Sequence, residues 1–443
     1  MTDQYTSVLR QIIIDFHASE IPVPSLRELG FGIAPKGVRK AVTLIGMRRS
    51  GKTWAVYQRM RALISSGLDP HKILYLNFED DRLRPFEAGD CQSILDAYFS
   101  LYPNLADNSD LHFFFDEIQE IHGWETFIRR LLDQEKMSLV LTGSSSRMFS
   151  REIATALRGR TITYEIFPFS FREYLIHKGV SLDVAPTSKQ IATLRHHRET
   201  YQTFGGFPEA VIMGPQHHRE LLQGYIETVI YRDLIERHHI SNTTVTREFV
   251  SYCLQNSAAP LSVNRIYQRF KSLGRVTSKD LFYGLMEHLE DAYCLYSVPV
   301  FSHSASERAR NPKKIYGADP GLITAYSVKP AFDRSARLET MVFNELRRRT
   351  RDIYYVSTSS GYEVDFLTLN PNGRRELLQV TASLADPDTE KREVRALVDA
   401  MGEMKIHRAT ILTEDDDERR LTISGKKIDI LPTWKWLLGA WMR

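Results

Sequence analysis

Ala41-Val-Thr-Leu-Ile45, followed by Gly46-Met-Arg-Arg-Ser-Gly-Lys-Thr53, is the stretch that decides the fold of this chain. The first five residues form a short apolar run, which is typical of a buried strand. The next eight fit the pattern GxxxxGK[ST], and a helical stretch from Thr53 to Ser65 follows them. Strand, glycine-rich turn and helix in this order predict a phosphate-binding loop, in which backbone N–H groups curl around phosphate oxygens.

The side chains of this loop have distinct predicted roles on a bound nucleotide. Lys52 would bring positive charge to the β- and γ-phosphates, and the Thr53 hydroxyl would hold Mg²⁺. The N-terminus of the following helix adds its dipole. We therefore predict ATP and Mg²⁺ as cofactors. The predicted nucleotide contacts are Gly46, Arg48, Arg49, Ser50, Gly51, Lys52, Thr53, Trp54 and Asp116.

A second apolar run, Leu111 to Phe115, ends in two carboxylates, Asp116 and Glu117. Asp116 is predicted to hold Mg²⁺, directly or through water. Glu117 is predicted to polarise the attacking water as general base. A solvated acidic strand end is the alternative interpretation of these two residues.

Two further segments add catalytic candidates. In Thr142-Gly-Ser-Ser-Ser146, at the end of the next apolar run, a hydroxyl such as that of Thr142 would sense the γ-phosphate or orient the water. A simple turn explains that segment equally well. In Leu157-Arg-Gly-Arg160, a guanidinium past this strand is suited to stabilise phosphate charge on a neighbouring subunit. Arg160 is the preferred arginine finger and Arg158 the reserve, with a surface basic pair as the alternative.

Composition and charge limit the class of protein. The chain has 443 residues and a formal net charge of +3, which is too mild to indicate a polyanion partner by itself. Its three cysteines are odd in number and far apart, which excludes a full disulfide framework and a zinc site and fits a reducing cytoplasm. No run of 18 apolar residues exists, so we predict neither a membrane span nor a membrane partner.

The order of helical and strand-like segments predicts an α/β fold. A leading helix, Val8 to Phe16, precedes a proline-containing connector. Strands then alternate with helices, which indicates a parallel, doubly wound sheet. After about residue 168 the pattern is mainly helical, with a long helix at Leu221 to Arg237. A helix at Arg337 to Arg349 and strands at 353–356, 363–369 and 376–381 return to an α/β pattern.

Together these motifs resemble a large family of prokaryotic AAA+ ATPases. The resemblance rests on GMRRSGKT, FFFDEIQEI, LTGSSS, LRGR and YEIFPFSFREYL, on Gly205-Gly-Phe-Pro-Glu209 and Tyr231-Arg-Asp233, and on Ala318-Asp-Pro-Gly321 and Glu363-Val-Asp-Phe366. In that family an ATPase core is followed by a winged helix and a C-terminal domain of restriction-nuclease-like fold. The resemblance implies ATP hydrolysis and a ring or partial ring of identical subunits, with a hexamer favoured.

Five segments are expected from the residues and the resemblance together. They are an N-terminal helix and connector (1–38), an AAA+ ATPase core (39–170), a helical lid (171–243), a winged helix (244–320) and a restriction-nuclease-like domain (321–443).

Residues 246–317 have the predicted order helix, helix, helix, hairpin, with a flexible tip at Ser302 to Pro312. Basic residues on the third helix and around the tip would contact DNA phosphates. The third helix also carries Asp280, Glu287 and Glu290, which argues against reading of bases by its C-terminal half. A winged helix used for structure or protein contacts is the alternative. The predicted DNA contacts are Lys279, Arg308, Arg310, Lys313 and Lys314.

The C-terminal domain lacks part of the nuclease pattern. A restriction-nuclease-like site needs a helical Glu, an Asp and a strand with E-x-K, which bind metal and activate water. Glu339 or Glu345 supplies the first acid and Asp365 the second, but Gln379 and Thr381 stand where the last pair is needed. Glutamine is a weak, uncharged metal ligand and threonine cannot supply a cation. We therefore predict a vestigial nuclease site without nuclease activity.

Two functions from different classes fit these features. The favoured one is an oligomeric, cytoplasmic AAA+ ATPase that couples ATP hydrolysis to binding, translocation or remodelling of duplex or branched DNA. The alternative is a protein-remodelling or signalling ATPase that uses the winged helix and C-terminal domain to contact a protein client. Salt-dependent DNA binding separates them, because phosphate contacts release counterions.

Overall fold

The computed structural model describes residues 2–32, 40–108, 110–134, 137–143, 157, 159–181, 186–328, 333–370, 372–415 and 417–439. The chain forms two compact units, residues 1–167 and 168–443. Within the described ranges, no helix is both long and apolar enough to cross a membrane.

The first unit is built around a parallel sheet of five strands. Its elements are α1 (Thr2–Ala18), β1 (Ala41–Ile45), α2 (Lys52–Ser65), β2 (Ile73–Asn77), α3 (Gln92–Leu101), β3 (Leu111–Asp116), α4 (Glu125–Gln134), β4 (Met137–Thr142) and β5 (Thr161–Glu165). The strand order is β2-β3-β4-β1-β5, and every neighbouring pair is parallel. β1 and β3 are buried along their whole length, which explains why both are mostly apolar in the sequence.

The strand order brings three strand ends together. β4 lies between β1 and β3, and its Val140 pairs with Val42 on one side and Phe114 on the other. Because the strands are parallel, their C-terminal ends share one edge of the sheet. The loop after β1 therefore lies beside Asp116, which ends β3, and Thr142, which ends β4.

The edge strand β5 was not predicted from the sequence. It pairs with β1 over five residues, from Ala41 opposite Thr161 to Ile45 opposite Glu165. All of its side chains are only partly buried. Its sequence, Thr-Ile-Thr-Tyr-Glu, therefore lacks the apolar run that made the inner strands recognisable.

The second unit begins with a helical part. Its elements are α5 (Phe171–His177), α6 (Ser188–Phe204), α7 (Pro208–Met213), α8 (His218–Thr228) and a π-helix (Val229–Glu236). The single helix predicted at Leu221 to Arg237 thus changes from α to π near its middle. Apolar periodicity does not distinguish these two helical forms over so short a stretch, which is why the change was not predicted.

The middle of the second unit combines helices with a small antiparallel sheet. Its elements are α9 (Thr243–Gln255), β6 (Ala259–Leu261), α10 (Val263–Ser272), α11 (Lys279–Asp291), β7 (Leu295–Val298), α12 (Ala305–Arg310), β8 (Lys313–Gly317) and α13 (Pro320–Tyr326). The strand order is β6-β8-β7. The prediction of a flexible tip at 302–312 is wrong for 305–310, because Ser304 caps a short helix by accepting the N–H of Glu307 at 3.3 Å.

The last part of the second unit is a six-stranded mixed sheet between two helices. Its elements are α14 (Arg334–Arg349), β9 (Ile353–Ser357), β10 (Glu363–Leu369), β11 (Arg375–Val380), α15 (Pro387–Met404), β12 (Arg408–Thr413), β13 (Arg419–Ile423), β14 (Lys426–Pro432) and α16 (Thr433–Leu437). The order is β13-β14-β12-β11-β10-β9. α14 packs with Phe366 and Leu378, whereas α15 packs with Val364 and Leu377. The two helices thus cover opposite faces of the sheet.

Candidate nucleotide-binding site

The loop after β1 is shaped by backbone conformations that few side chains tolerate. Gly46 has φ +142°, and a Cβ at this position would lie 2.2 Å from the carbonyl oxygen of Ile166. Gly51 has φ 96° and leads directly into α2. Arg49, which is exposed, has φ 66°. Such a loop before a helix N-terminus can turn several N–H groups towards an anion.

Two side chains at the start of α2 face the elements expected to hold phosphate and metal. The Lys52 side chain is buried, and its Nζ donates to the carbonyl oxygens of Gly46 at 3.1 Å and Met47 at 3.2 Å. The Thr53 hydroxyl donates to Asp116 Oδ2 at 2.8 Å. The ammonium therefore lies against the loop itself, and the hydroxyl reaches across to the end of β3.

Asp116 is the centre of a hydrogen-bond network of three hydroxyl groups. It is 1% exposed. Its Oδ2 accepts the hydroxyls of Thr53 and, at 3.0 Å, of Tyr75, while its Oδ1 accepts that of Thr142. Burial raises the pKa of Asp116, the hydrogen bond from Thr142 opposes the rise, and the charge of Glu117 adds to it.

Thr142 connects the two neighbouring carboxylate residues. Its Oγ1, which donates to Asp116, also accepts the backbone N–H of Glu117 at 3.0 Å. Glu117 has a left-handed backbone, φ 52°, and its Oε2 accepts the amide N–H of Gln119 at 2.5 Å. The position of the Glu117 side chain is thus fixed from both ends, by Thr142 through the backbone and by Gln119 through the carboxylate.

Three residues near this site were missed by sequence reasoning. Tyr75 and Gln119 hold the two carboxylates, as described. Arg27, from the N-terminal connector, is buried and donates to the carbonyl oxygens of Ser50 at 2.9 Å and Phe167 at 2.7 Å. Arg27 and Tyr75 are distant in sequence from their partners, so only the folded chain brings them to the site, whereas Gln119 lies two residues after Glu117 and its proximity to that acid was visible in the sequence.

The remaining predicted nucleotide contacts lie on the loop or beside it. Arg48 is half-buried, and Ser50 is buried. Trp54 follows Thr53 on α2 and is 46% exposed, with its ring edge-on to Tyr57 at 5.7 Å. Its exposure beside the loop leaves the ring accessible to a bound nucleotide.

Of the two predicted arginine fingers, only Arg160 lies within the described residues. Arg160 is half-buried and pairs through its Nη1 with Asp133 of the same chain. Its carbonyl oxygen accepts the N–H of Ala41 at 2.9 Å, which places it at the start of β5 beside β1. Arg158 lies outside the described residues, as do Ser144 to Ser146. A role of Arg160 on a neighbouring subunit stays a prediction.

Most of the predicted DNA contacts lie on the surface of the second unit. Lys279, Arg310 and Lys313 are exposed, and Arg308 is half-buried with its Nη1 donating to the carbonyl of Ser302. The prediction is wrong for Lys314, which is 2% exposed. It points inward because β8 turns alternate side chains to opposite faces, and its ammonium pairs with carboxylates instead of solvent.

The predicted vestigial nuclease residues converge in part. Glu339 on α14 and Asp365 on β10 both accept hydrogen bonds from Lys314, at 3.1 and 3.0 Å. The backbone N–H of Asp365 donates to Gln379 Oε1 at 3.2 Å. Glu345, the other predicted helical acid, pairs with the neighbouring arginine at 349 at 2.7 Å, and Glu339 is thus the acid of this cluster. Thr381 is half-buried just after β11.

Comparison with known proteins agrees with the architecture of the first unit. Residues 38–175 match the family described as an AAA domain, and residues 195–332 match a family described as a domain of unknown function. The parallel sheet, the loop after β1 and the carboxylates at the end of β3 together define a P-loop ATPase domain of the AAA kind.

The whole chain also has relatives of similar length. It is 30% identical to the uncharacterized protein MJ1544 of Methanocaldococcus jannaschii over 422 residues, which cover 93% of this chain and 90% of the relative. The chain therefore belongs to the family of this archaeal protein. An uncharacterized protein of Haemophilus influenzae is 26% identical over 77% of this chain and 82% of its own length.

Similarity to solved structures is weaker. The Aeropyrum pernix ORC1 protein, solved in complex with DNA, shares 15% identity and a TM-score of 0.28, over 67% of this chain and 88% of that one. A likeness of this size does not indicate a function.

Proposed function

We propose that this protein is a Mg²⁺-dependent ATPase that works as an oligomer, with a hexameric ring favoured, and couples ATP hydrolysis to work on DNA. The observation that carries the ATPase proposal is the network around Asp116, in which hydroxyls from α2, β2 and β4 meet one buried carboxylate beside the loop. Its donor set fits Mg²⁺, which prefers carboxylate and hydroxyl oxygens and a few direct protein ligands.

Each residue at the site has a separate proposed role in ATP hydrolysis. Thr53 and Asp116 would hold Mg²⁺, which supplies positive charge to the β- and γ-phosphate oxygens when bound. The ammonium of Lys52 would exchange its two loop carbonyls for phosphate oxygens. Glu117 would take the proton of the attacking water, with its carboxylate aimed by Gln119 and its backbone by Thr142.

The proposed DNA-binding surface lies on the second unit. We propose that residues 244–320 form a winged helix, because helices α9 to α11 are followed by the strand pair β7 and β8. Exposed Lys279, Arg310 and Lys313 favour contacts with phosphates, which need only positive charge. The burial of Lys314 and the acidic residues of α11 limit this surface, so base readout is not proposed.

For the last segment, 321–443, we propose a restriction-nuclease-like fold without nuclease activity. Gln379 offers no charge to a metal, and its side-chain amide instead donates to Glu393 at 2.7 Å.

ATP turnover by the purified full-length protein, with and without DNA, tests the coupled function. Single-stranded, duplex and branched DNA are each added at low and moderate salt. We expect stimulation by one DNA form that fades as salt rises, because the contacts are with phosphates. If the rate of ATP turnover were the same with every DNA as without DNA, the DNA role would be rejected and a protein client would be favoured.

A charge-reversal pair locates the DNA surface. Lys313→Glu should weaken the DNA stimulation several-fold and reduce its salt dependence. Lys391→Glu is the matched control, since its side chain is also exposed but belongs to α15, which is not part of the proposed winged helix. Equal losses in both variants would show only a general effect of net charge.

Two variants separate nucleotide binding from hydrolysis. Lys52→Ala should abolish ATP binding. Glu117→Gln should bind ATP but hydrolyse it roughly 10²- to 10⁴-fold more slowly, because the general base is lost. ATP binding is measured by calorimetry and turnover by phosphate release. Unchanged turnover in Glu117→Gln would show that the base has been assigned wrongly.

A further inference from the structure

The ammonium of Lys314 is surrounded by carboxylates. Its Nζ lies 2.8 Å from Glu363 Oε1, 3.0 Å from Asp365 Oδ1 and 3.1 Å from Glu339 Oε1. A lysine ammonium has three N–H donors and no acceptor. Three carboxylate oxygens from three residues therefore match its three donors.

Two strands present complementary pairs of side chains. On β8, Lys314 and Tyr316 stand two residues apart and both donate to Glu339 Oε1, the tyrosine at 2.7 Å. On β10, Glu363 and Asp365 are likewise two residues apart. Side chains at this spacing share one face of a strand. The pattern Lys-x-Tyr on one strand thus meets Glu-x-Asp on another.

The rest of the cluster is also paired. Asp365 Oδ2 accepts the backbone N–H of Val380 at 2.9 Å. Burial raises the pKa of Glu339 to about 8, the charge of Asp365 adds to the rise, and Lys314 opposes it. Burial alone would lower the pKa of Lys314, but the carboxylates of Asp365, Glu339 and Glu363 raise it above its usual value. The lysine therefore stays charged.

We propose that the ammonium of Lys314 is the resident cation of the acidic cluster Glu339, Glu363 and Asp365, where it takes the place of a divalent metal ion. The comparison with a metal ion rests on the restriction-nuclease-like fold proposed for residues 321–443, in which the helical acid and the strand acid would be the metal ligands; here Glu339 and Asp365 both accept a hydrogen bond from the same nitrogen. This inference is independent of the proposed ATPase function, because it concerns only the second unit.

Burial distinguishes this role from that of a catalytic lysine beside a metal. The side chains of Lys314, Asp365 and Glu339 are 2%, 10% and 14% exposed, and only that of Glu363 reaches 45%. A lysine that activates water must face a phosphate group of the substrate. The Lys314 ammonium instead donates its hydrogen bonds to the carboxylates inside the protein.

The lysine also connects two sheets. Lys314 belongs to the three-stranded sheet, whereas its partners belong to the six-stranded sheet and its helix α14. Around it the hydroxyl of Tyr355 donates to the carbonyl of Pro312 at 2.7 Å, and the rings of Tyr316 and Phe343 stack at 4.3 Å. Removing one partner of such a buried charged group is far more costly than removing an exposed charge.

Lys314→Met in the nucleotide-free, full-length protein tests the proposal, with Mn²⁺ as the probe. We expect the melting temperature to fall by roughly 10 °C, since the carboxylates lose their cation. Mn²⁺ should restore much of this loss and bind with one additional equivalent by electron paramagnetic resonance. Lys313→Met, on the adjacent exposed residue of β8, should change neither property.

Assignment of the ion to the cluster needs one more variant. Adding Asp365→Asn to Lys314→Met should abolish both the rescue and the additional Mn²⁺, whereas a rescue that survives would overturn the proposal. Absence of any rescue in a folded Lys314→Met protein would also overturn it.

The wild-type protein supplies a test that does not depend on that variant's folding. We expect Mn²⁺ binding to be the same in wild type and in Glu363→Gln, since the ammonium already fills the site. Wild-type Mn²⁺ binding that is lost in Glu363→Gln would contradict the proposal and show that metal and lysine share the cluster.

Discussion

Single hydroxyl groups determine how the two carboxylates of the nucleotide site are used. Asp116 is buried and accepts three hydroxyls, so its two oxygens are held in fixed directions. Glu117 is less buried and is held by the backbone contact to Thr142 and by Gln119. Adjacent acids thus acquire different environments, which would suit the different roles of metal ligand and general base that we propose for them.

Replacement of Thr142 by valine tests the importance of this bridge. Valine keeps the shape but removes both the donor to Asp116 and the acceptor for the Glu117 N–H, so turnover should fall about 100-fold through misplacement of the base. ATP affinity should change only a few-fold, because the loop and Lys52 remain. Single-turnover kinetics and calorimetry measure the two effects.

Thr43 offers a matched control for this substitution. It lies on the neighbouring strand β1, is fully buried, and its hydroxyl has no hydrogen-bond partner among the residues that the structure describes. Thr43→Val should leave turnover within about twofold and should not destabilise the protein, since no hydrogen bond is lost. If both valine variants lost activity equally, general repacking of the sheet would explain the result.

Glu339 makes stability depend on pH. Its folded pKa of about 8 lies above the ordinary value of 4.5, so the folded state binds more protons between these limits. The stability from this group is fully present below about pH 4.5 and is lost as pH rises through 8. Glu339→Gln cannot ionise, so its melting temperature relative to that of wild type should rise as the pH increases from about 4.5 to 8, on top of a pH-independent loss from the missing partner of Lys314.

The size of this gain follows from proton linkage. A full difference of one bound proton changes the free energy of unfolding by about 1.4 kcal/mol per pH unit, or roughly 2–4 °C. Buried Asp319, whose pKa burial raises to about 7, contributes with the same sign, but it is present in both proteins and cancels. A difference between variant and wild type that stayed constant with pH would contradict the assignment to Glu339.

Residue positions were predictable where a motif fixes them along the chain. Lys52, Thr53, Asp116 and Thr142 converge because strand ends of a parallel sheet share one edge, and this could be anticipated. The inward orientation of Lys314 could not, because the acids that attract it lie on elements distant in sequence. Their pairing depends on how two sheets pack, which no local pattern encodes.

At the scale of elements, strands with a mostly apolar sequence were predictable, whereas several elements of mixed composition were not. The predicted strand at 41–45 has the observed bounds, because it is mostly apolar and buried along its whole length. Beyond residue 381 no element was predicted, although the helices α15 and α16 and three further strands follow there. β13, Arg-Arg-Leu-Thr-Ile, illustrates one reason. It is partly exposed and pairs with one neighbouring strand only, so its sequence is too polar to be recognised as a strand.

Two loops of the second unit are locked together by a buried carboxylate. Asp319 accepts the N–H of Gly206 at 2.7 Å and that of Gly321 at 2.8 Å. A Cβ on Gly205 would lie 1.6 Å from Asp319 Oδ1. The glycines are therefore needed for close approach as well as for backbone freedom, which gives a physical reason for the Gly-Gly-Phe-Pro and Ala-Asp-Pro-Gly segments.

Gly205→Ala should be strongly destabilising, and Gly214→Ala provides its matched control. Both glycines end a helix with nearly the same backbone, φ 74° and 79°, so alanine suffers similar strain at either position. At Gly214 no atom of the described part of the chain lies within 4 Å of the added Cβ. The melting temperature should therefore fall by several degrees more for Gly205→Ala, and equal losses would show that the contact with Asp319 is unimportant.

On the scale of the whole molecule, a P-loop ATPase unit is followed by a second unit that combines helices and two sheets. The relative from Methanocaldococcus jannaschii covers nearly the whole chain, so this combination is a property of the family. In the proposed oligomer, an arginine of one subunit would act at the nucleotide site of its neighbour. Arg160 is the residue on which that idea depends.

Mixing two inactive variants tests whether Arg160 acts on a neighbouring subunit. Arg160→Ala should bind ATP but lose hydrolysis by about 10³-fold, the usual effect of an arginine finger. Subunits with Lys52→Ala cannot bind ATP but still carry Arg160, so mixed oligomers should recover part of the turnover. Phosphate release as a function of mixing ratio measures this recovery.

Asp133→Asn separates the finger from a structural role, because Arg160 pairs with Asp133 within the chain. If Arg160 acts in trans, Asp133→Asn keeps its turnover, whereas a loss as large as that of Arg160→Ala, with no recovery in mixtures, would assign Arg160 to the fold of its own subunit.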